Sequence, residues 1–506
     1  MNDNEVAVLD YGSQYSQLIV RRVRELGFLA HLYPPQHLAN LTNPGAIILS
    51  GGPRSTSEVD APDVDFEKLK SFDVPILGVC YGMQLLNIKH GGSVKPGVTR
   101  EYGPARLVVK EAKVLFDGLP HESQIWMSHS DTVSDLPEGT EVIATNEDAV
   151  PIALRWTERC WGIQFHPEVT HSHEGSRILK NFLVGSGAKL ARFDIAVFKD
   201  QMLQSIREKV GGREVVCGVS GGVDSTVLAV LLHSAGVKVR CIFIDTGLMR
   251  LEESAEVKTQ FEAVGVPIEM IDASERFLGQ LAGVTDPEQK RKIIGDLFVD
   301  LFWGVADKVE LLAQGTLYPD VIESASSGSI ASKIKTHHNR VDRILELQKE
   351  GKVLEPLAEL FKDEVRALGA TLGIPHHALW RHPFPGPGLA VRVPGDITPE
   401  KLEIVRQADA IFIGELRRSG WYDRVWQAYA ALLPVKTVGV KGDERSYEQA
   451  IALRAVISED AMTADWVELP YDVLRAASNR ILNSVSGINR VFYDISTKPP
   501  ASIELE

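Results

Sequence analysis

The sequence predicts an α/β protein with two domains built on mainly parallel sheets, followed by a small α+β domain. Short apolar runs alternate with segments of helical periodicity from residue 5 to about residue 187, and the alternation resumes near Arg192. The segment HPFPGPG (382–388) interrupts this pattern, because its prolines and glycines form a rigid turn. The predicted domains are therefore residues 1–187, 188–381 and 382–506.

Length and composition are those of a globular protein of roughly three domains. The chain has 506 residues, of which 44% are hydrophobic and 24% charged. Its net charge of −14 argues against broad nucleic-acid binding, and its apolar runs stay short of the ~18 residues of a membrane helix. The start, MNDNEVAVLDYG, has no signal-peptide pattern, and the four cysteines lack metal-site spacing. We therefore expect a cytoplasmic location and neither nucleic-acid nor membrane partners.

Each domain has recognisable elements. In the first, apolar runs predict the strands EVAVLDYG, AIILSGGP, VPILGVC, RLVVK, EVIATNE, PIALRW and WGIQFHPE. The helix-like HSHEGSRILKNFL closes this domain, and VGSGAK is predicted as a linker. In the second, EVVCGV, the loop SGGVDST, a helix and VKVRCIFID form a βαβ unit, followed by the helix DPEQKRKIIGDLFVDLF and the strand VELLAQGT. The third alternates helices with short strands such as RVFYDIS.

A cysteine stands on a predicted sharp turn between a strand and a helix. Gly78-Val79-Cys80-Tyr81-Gly82 has the spacing G-x-C-x-G, the thiol counterpart of the nucleophile elbow. The helix N-terminus beneath it favours a thiolate. Taken alone, a buried structural cysteine is the alternative interpretation.

One segment after this cysteine and one segment before it supply candidate partners. His166 and Glu168 lie two residues apart at the end of an apolar strand, as a base and the acid that orients it. The turn Ser50-Gly51-Gly52-Pro53 offers backbone N–H groups to an oxyanion, although a plain tight turn has the same sequence pattern.

These three pieces, in this order, resemble the class I glutamine amidotransferases over residues 5 to about 187. The resemblance implies that Cys80 is the nucleophile of a triad completed by His166 and Glu168. It also implies oxyanion stabilisation by the backbone N–H groups of Gly52 and Tyr81, and identifies Gln84 as a residue that contacts glutamine. The implied chemistry is hydrolysis of glutamine to glutamate and ammonia.

The loop SGGVDST is a second candidate site. A glycine turn between a strand and a helix presents free N–H groups to phosphate, yet Asp224 would repel phosphate unless a cation lies between them. We therefore expect a Mg²⁺-bridged nucleotide; an ordinary serine-capped helix start is the alternative. The loop is similar to that of the adenine nucleotide α-hydrolases, which implies cleavage of ATP between the α and β phosphates. The implied ATP-binding residues are Ser220, Gly221, Gly222, Val223, Asp224, Ser225 and Thr226.

Together with HPFPGPGL, GINRVFYDIS and KPPASIELE, the two units resemble the GMP synthetase (glutamine-hydrolysing) family over essentially the whole chain. The resemblance implies ATP-dependent adenylation of xanthosine 5′-monophosphate (XMP) at the C2 oxygen and displacement of AMP by ammonia. It implies a homodimer formed through the third domain, and Lys362 as a polyphosphate contact. The implied XMP contacts are Arg291, Lys498, Ile503 and Glu504.

The sequence departs from the family pattern at two places. After KTHHN (335–339) the chain reads RVDRILELQKEGKV where many members have V-G-G-L-P, and it ends in IELE where I-E-W-E is commoner. The first departure leaves the lid after Asn339 undefined.

The rival enzyme is another adenylating amidotransferase, of the NAD or asparagine synthetase type. The rival from another class is a nucleotide-sensing regulator with inactive sites, against which the intact triad argues.

Overall fold

The computed structural model describes residues 3–13, 15–58, 60–306, 309–317, 346–441, 443–458 and 463–506. The chain divides into two compact units, Met1–Asp194 and Ile195–Glu506. In the described part of the chain, no helix combines the length and apolar character needed to cross a membrane.

The first unit is built on a nine-stranded sheet in the order β2-β1-β3-β4-β9-β8-β7-β5-β6. Strands β2, β1, β3, β4 and β9 are parallel, and the remaining pairings are antiparallel. The strands are β1 Val6–Leu9, β2 Ala30–Tyr33, β3 Ala46–Leu49, β4 Ile76–Val79, β5 Val94–Val109, β6 Glu122–Val133, β7 Glu141–Thr145, β8 Pro151–Thr157 and β9 Cys160–Ile163.

The parallel half is buried on both faces. In β1, Val6 and Val8 belong to one apolar cluster while Ala7 and Leu9 belong to another, so a continuous apolar run is what this strand requires. The helices are α1 Ser16–Glu25, α2 Phe66–Ser71, α3 Tyr81–Lys89 and α4 Gly175–Gly185. Helix α4 takes in Val184 and Gly185, which the sequence assigns to a linker, because its apolar side chains Ile178, Leu179 and Phe182 bury against the sheet cluster.

The second unit begins with a fully parallel five-stranded sheet in the order β12-β11-β10-β13-β14. Its strands are β10 Val215–Val219, β11 Val239–Asp245, β12 Ile268–Asp272, β13 Leu311–Ala313 and β14 Val353–Leu354. The helices that accompany it are α5 Ile195–Val210, α6 Val223–Ser234, α7 Glu253–Ala263, α8 Ser274–Leu281, α9 Pro287–Val305, α10 Lys362–Thr371 and α11 His376–Leu379.

The end of the chain adds a mixed sheet and two helices. Strand β15 (Gln427–Lys441) pairs antiparallel with β16 (Glu444–Ile457), which also pairs with β17 (Asp465–Trp466) and, in parallel, with β18 (Ile488–Tyr493). Helices α12 (Pro399–Arg418) and α13 (Tyr471–Ser484) accompany this sheet. One apolar cluster extends from Val216 in β10 to Ile451 in β16, so both parts of the second unit share a core.

Candidate active sites

Cys80 occupies a strained turn between β4 and α3. Its backbone has φ of 53° and ψ of −105°, outside the regions that ordinary residues favour. The flanking glycines permit this turn: a Cβ on Gly78 would lie 2.6 Å from the Gly82 backbone, and one on Gly82 would lie 2.3 Å from the Leu49 carbonyl oxygen. The G-x-C-x-G spacing therefore reflects close packing of the strand against the helix, as the sequence predicts.

His166 and Glu168 lie beside this cysteine. The Cys80 N–H donates to the Ile163 carbonyl at 2.7 Å, which ties the turn to the end of the neighbouring strand β9. The His166 Nδ1 lies 2.7 Å from Glu168 Oε1, and the ring interacts electrostatically with Cys80. Because Nδ1–H donates to the carboxylate, Nε2 is the nitrogen left for the cysteine.

The electrostatics of His166 follow from its burial and its charged partners. Burial of the ring by itself would lower the pKa of His166. The negative charge of Glu168 and the interaction with Cys80 outweigh that effect and raise the pKa well above its ordinary value. Because Glu168 and Cys80 raise the pKa of the buried His166, the imidazole can hold a proton beside the sulfur at neutral pH.

The turn containing Gly52 packs against the same site. A Cβ on Gly51 would lie 3.0 Å from His166 Cε1, and one on Gly52 would lie 2.8 Å from the Tyr11 carbonyl oxygen and 3.3 Å from Tyr81 Cγ. Tyr81 is the first residue of α3, where a backbone N–H has no intrahelical acceptor. The placement of Gly52 and Tyr81 is compatible with an oxyanion hole, and that role remains a prediction.

Gln84 is buried and bonded to other protein groups. Its Nε2 donates to the Asp131 carbonyl oxygen at 2.8 Å and to Gln164 Oε1 at 3.3 Å. Gln164 Nε2 in turn lies 3.6 Å from Cys80 Sγ, and the Ser128 carbonyl oxygen lies 3.7 Å from the same sulfur.

Sequence reasoning missed three of these residues. Ser128 and Asp131 lie on β6, a strand that the sequence analysis did not identify. Gln164 could have been identified from the sequence, because it is a polar residue between an apolar strand and the candidate histidine.

The loop 220–226 connects β10 to α6. Gly221 has φ of +76°, and a Cβ there would lie 2.8 Å from Val257, so glycine is required. Gly222 precedes the first helical residue, Val223. The Ser225 hydroxyl lies 3.1 Å from that of Ser220, inside the loop, while Thr226 is buried. Ser220, both glycines, Val223 and Asp224 line the cavity beside this loop, whereas the lining does not include Ser225 or Thr226.

A cavity of about 590 Å³ opens beside this loop. Its lining includes Val219–Asp224, Thr246 at the end of β11, Arg291 and Phe298 of α9, Lys362 at the start of α10, and residues 381–388. The structure therefore brings the loop, Arg291 and Lys362 together. It also gives the HPFPGPG segment a place in the wall of the cavity, where the sequence indicated a turn at a domain border.

Asp224 has one paired and one unpaired oxygen. Its Oδ2 lies 2.7 Å from Lys362 Nζ, whereas Oδ1 is buried without a hydrogen-bond partner in the described structure. No cluster of three or more His, Cys, Asp or Glu side chains suited to a metal occurs among the described residues. A single unsatisfied carboxylate oxygen fits a Mg²⁺ ion whose other ligands are phosphates and water.

The residues near the end of the chain are held by other contacts. Glu504 accepts hydrogen bonds from the buried Arg392 at 3.1 Å and from Gln427 at 2.5 Å, and the Ile503 carbonyl accepts from Tyr429 at 2.8 Å. Lys498 forms an isolated bridge with Ala464. Lys498, Ile503 and Glu504 do not line the cavity, although Arg392 packs 5.1 Å from the ring centroid of Phe384, which does.

Close relatives exist over the full length of this chain. A GMP synthase [glutamine-hydrolyzing] from Aquifex aeolicus (strain VF5) is 50% identical over 514 residues, covering 100% of both chains. Proteins of the same name from Thermosipho africanus (strain TCF52B) and Phenylobacterium zucineum (strain HLK1) are 51% and 49% identical. They cover 99% of this chain, and the alignments span 100% and 98% of those relatives. The chain belongs to the glutamine-hydrolysing GMP synthase family.

Three family models match successive parts of this member of the GMP synthase family. The class-I glutamine amidotransferase model matches residues 7–186, and the GMP synthase C terminal domain model matches residues 414–505. A model described as the tRNA methyl transferase HUP domain matches residues 213–283, which contain the loop 220–226. The chain is therefore an enzyme of this family, an ATP-utilising ligase that uses glutamine. It contains the two α/β units that the sequence predicts, one of the class I glutamine amidotransferase type and one of the nucleotide-binding type.

Part of the sequence resemblance cannot be placed. The segment KTHHN (335–339) and residues 340–345, the first part of the departure that follows it, lie outside the described residues.

Proposed function

We propose that this protein makes GMP from XMP, ATP and glutamine, releasing AMP, pyrophosphate and glutamate. The observation that carries the proposal is that one full-length member of the GMP synthase family combines an assembled Cys80–His166–Glu168 cluster with a nucleotide-sized cavity at the loop 220–226. The first supports glutamine hydrolysis and the second supports adenylation.

In the glutaminase reaction, Cys80 Sγ attacks the carboxamide carbon of glutamine. The negative charge that develops on the carboxamide oxygen is received by the backbone N–H groups of Gly52 and Tyr81. His166, held by Glu168, gives its proton to the departing nitrogen, and ammonia leaves a thioester on Cys80. His166 then takes a proton from water, whose oxygen attacks the thioester and releases glutamate.

In the synthetase reaction, the C2 oxygen of XMP attacks the α-phosphorus of ATP. The bond between the α-phosphorus and the bridging oxygen breaks, and pyrophosphate leaves. The backbone N–H groups around Gly221 and Gly222 bind the pyrophosphate, and Lys362 lies close enough to the loop to balance its charge. Ammonia then attacks C2 and AMP departs, which completes the exchange of oxygen for nitrogen.

Asp224 is the residue of this chain that would hold Mg²⁺, through its unpaired Oδ1. The ion, when bound, would neutralise charge on the phosphates. Arg291 lies in the cavity lining, which supports its proposed contact with XMP. The substrate would then compete with Glu288 for the Arg291 guanidinium. Lys498, Ile503 and Glu504 stay proposed contacts to XMP, although the partners of Ile503 and Glu504 favour a role in holding the wall of the cavity.

We also infer that the protein is a cytoplasmic homodimer. Large apolar side chains are exposed on the final sheet, which supports a partner on that surface: Val438 is 50% exposed, Val440 76% and Tyr447 61%. Phe492 of β18 and the nearby Ile495 add to the same set. Sedimentation at micromolar concentration tests this inference, and a stable active monomer would reject it.

One assay tests the function directly. The purified protein is given ATP, XMP, glutamine and Mg²⁺, and the consumption of XMP and the formation of AMP, pyrophosphate and glutamate are followed. We expect equal amounts of GMP and AMP. Formation of ADP and phosphate, or synthesis with aspartate or deamido-NAD in place of XMP, would contradict the proposal in favour of a different ligase.

A further inference from the structure

A short relay of two buried carboxamides leads from the backbone of β6 to the sulfur of Cys80. It runs from the Asp131 carbonyl oxygen to Gln84, from Gln84 to Gln164, and from Gln164 to Cys80 Sγ, over distances of 2.8, 3.3 and 3.6 Å. Gln84 is 3% exposed and Gln164 is 1% exposed, so neither amide can exchange these partners for solvent.

The direction of the relay is fixed by the backbone. A carbonyl oxygen can only accept a hydrogen bond, so the amide atom of Gln84 that faces Asp131 must be its nitrogen. The second N–H of that nitrogen then donates to Gln164 Oε1. Because the oxygen end of Gln164 is committed in this way, the end that faces Cys80 is the N–H donor.

A second group gives the same carbonyl the same role. His129 Nδ1 lies 3.0 Å from the Asp131 oxygen, and burial lowers the pKa of His129 below its ordinary value. A neutral ring in this position donates through Nδ1–H, so Asp131 accepts from two side chains. Rotation of the Gln84 amide would bring two oxygens together in a buried site and is disfavoured.

Among the described residues, the Ser128 carbonyl oxygen and the His166–Glu168 pair also lie beside the sulfur. The Ser128 carbonyl oxygen can accept from the thiol but offers nothing to a thiolate. His166, oriented by Glu168, is the cationic partner. The N–H of Gln164 is thus a donor that strengthens when the sulfur becomes an anion.

We propose that Gln164 is a further catalytic residue, whose side-chain N–H stabilises the Cys80 thiolate, and that Gln84 is the positioning residue that sets its direction. The proposal rests on the proposed role of Cys80 as nucleophile. It adds to the predicted contact between Gln84 and glutamine. Both N–H groups of Gln84 donate to protein groups, so a contact with glutamine would use the side-chain oxygen.

Alkylation of Cys80 by iodoacetamide across a range of pH is the test, because only the thiolate reacts rapidly. Gln164→Glu replaces the donor by a carboxylate oxygen and should slow alkylation at pH 7 at least about tenfold. Gln164→Met, which keeps the side-chain length, should slow it less, and Gln84→Met should give a smaller change in the same direction. In Gln164→Glu, the midpoint of the pH profile should move upward.

Two controls separate the outcomes. Asn181→Asp makes a similar carboxamide-to-carboxylate change at Asn181, which bonds the Leu115 and Asp117 carbonyls, and should leave the alkylation profile unchanged. Circular dichroism and thermal unfolding of each variant show that the chain is folded. If folded Gln164→Glu and Gln164→Met alkylate as the parent does, the inference is wrong. If Cys80→Ala retains glutamine-dependent synthesis, the proposed function itself fails, and the two results are distinguishable.

Discussion

Lys362 donates a hydrogen bond of 2.7 Å to Asp224, although 138 positions separate the two residues along the chain. The contact joins the start of α10 to the first turn of α6, at the edge of the cavity beside the loop 220–226. It also resolves an apparent contradiction in the sequence, where an acidic side chain stands in a loop that should hold phosphate. The carboxylate is already balanced by a cation, and its second oxygen remains unpaired.

Asp224→Ala should therefore abolish adenylation with glutamine and with ammonia alike. The change removes the proposed Mg²⁺ ligand and leaves Lys362 without its partner, while glutamine hydrolysis in the other unit keeps its triad. Release of pyrophosphate from ATP and XMP is the measurement, with glutaminase activity as the control. Adenylation close to the parent rate would contradict the assignment of Asp224.

Cys80→Ala should separate the two half-reactions. Loss of the nucleophile is expected to lower glutamine-dependent GMP synthesis by several orders of magnitude. Ammonium salt at high pH, where more of the nitrogen is free ammonia, should still support synthesis. If a folded variant could not make GMP from ammonia, the two half-reactions would not be catalysed at separate sites as proposed.

The ion pair of Lys290 and Glu506 should be important for stability. Lys290 is fully buried in α9, and its Nζ donates to Glu506 at 2.5 Å and to the Val393 carbonyl at 2.8 Å. Breaking a buried pair by removing one partner costs roughly 3–5 kcal/mol, because the other charge is left uncompensated. Glu506→Leu should lower the free energy of unfolding in urea by about that amount.

The matched variant for this pair replaces both partners. Lys290→Met combined with Glu506→Leu should recover much of the stability, since apolar side chains of similar volume carry no charge to desolvate. If the double variant is as unstable as the sum of the two single variants, the pair does not act as a charge-compensated unit.

His382 should make stability depend on pH. Its ring is stacked on Tyr422, its Nε2–H donates to the Tyr422 carbonyl at 2.9 Å and its Nδ1 accepts from the Ala428 N–H at 3.2 Å. These contacts suit the neutral ring, and burial lowers the pKa of His382 from 6.5 to about 4. Between these values the unfolded chain binds the proton and the folded chain does not, so stability falls as the pH drops from 6.5 toward 4.

A shift of this size corresponds to roughly 3 kcal/mol over that interval. His382→Gln keeps a donor and an acceptor but cannot titrate, so its unfolding midpoint should fall less steeply with decreasing pH than that of the parent. Urea denaturation at several pH values between 7 and 4 measures the difference between the two slopes. Parallel curves would show that His382 does not carry this dependence.

The features that could be predicted from the sequence are local ones. Cys80, with its two glycines, and the loop 220–226 each lie within a few residues at the junction of a strand and a helix, where backbone geometry dictates the residue type. His166 and Glu168 needed one further step, because β9 must lie beside β4 for them to meet Cys80.

What the sequence did not provide depends on contacts between distant elements. Strand β6 has alternating buried and half-exposed residues and no long apolar run, so Ser128 and Asp131 were not recognised as neighbours of the sulfur. The burial of Lys290 against Glu506 requires α9 and the last residues of the chain to pack together, which local periodicity does not encode. The same holds for Glu504 and Arg392.

The pairing of β4 with β9 has a consequence for how glutamine hydrolysis is controlled. Val79 and Ile163 are register partners in a parallel ladder, so Cys80 and the strand end that leads to His166 emerge from the same rigid frame. This frame holds the proposed nucleophile and the proposed base close together in the absence of substrate. We therefore expect any control of wasteful hydrolysis to act on the entry of glutamine or on the fit of its oxygen, and not by separating Cys80 from His166.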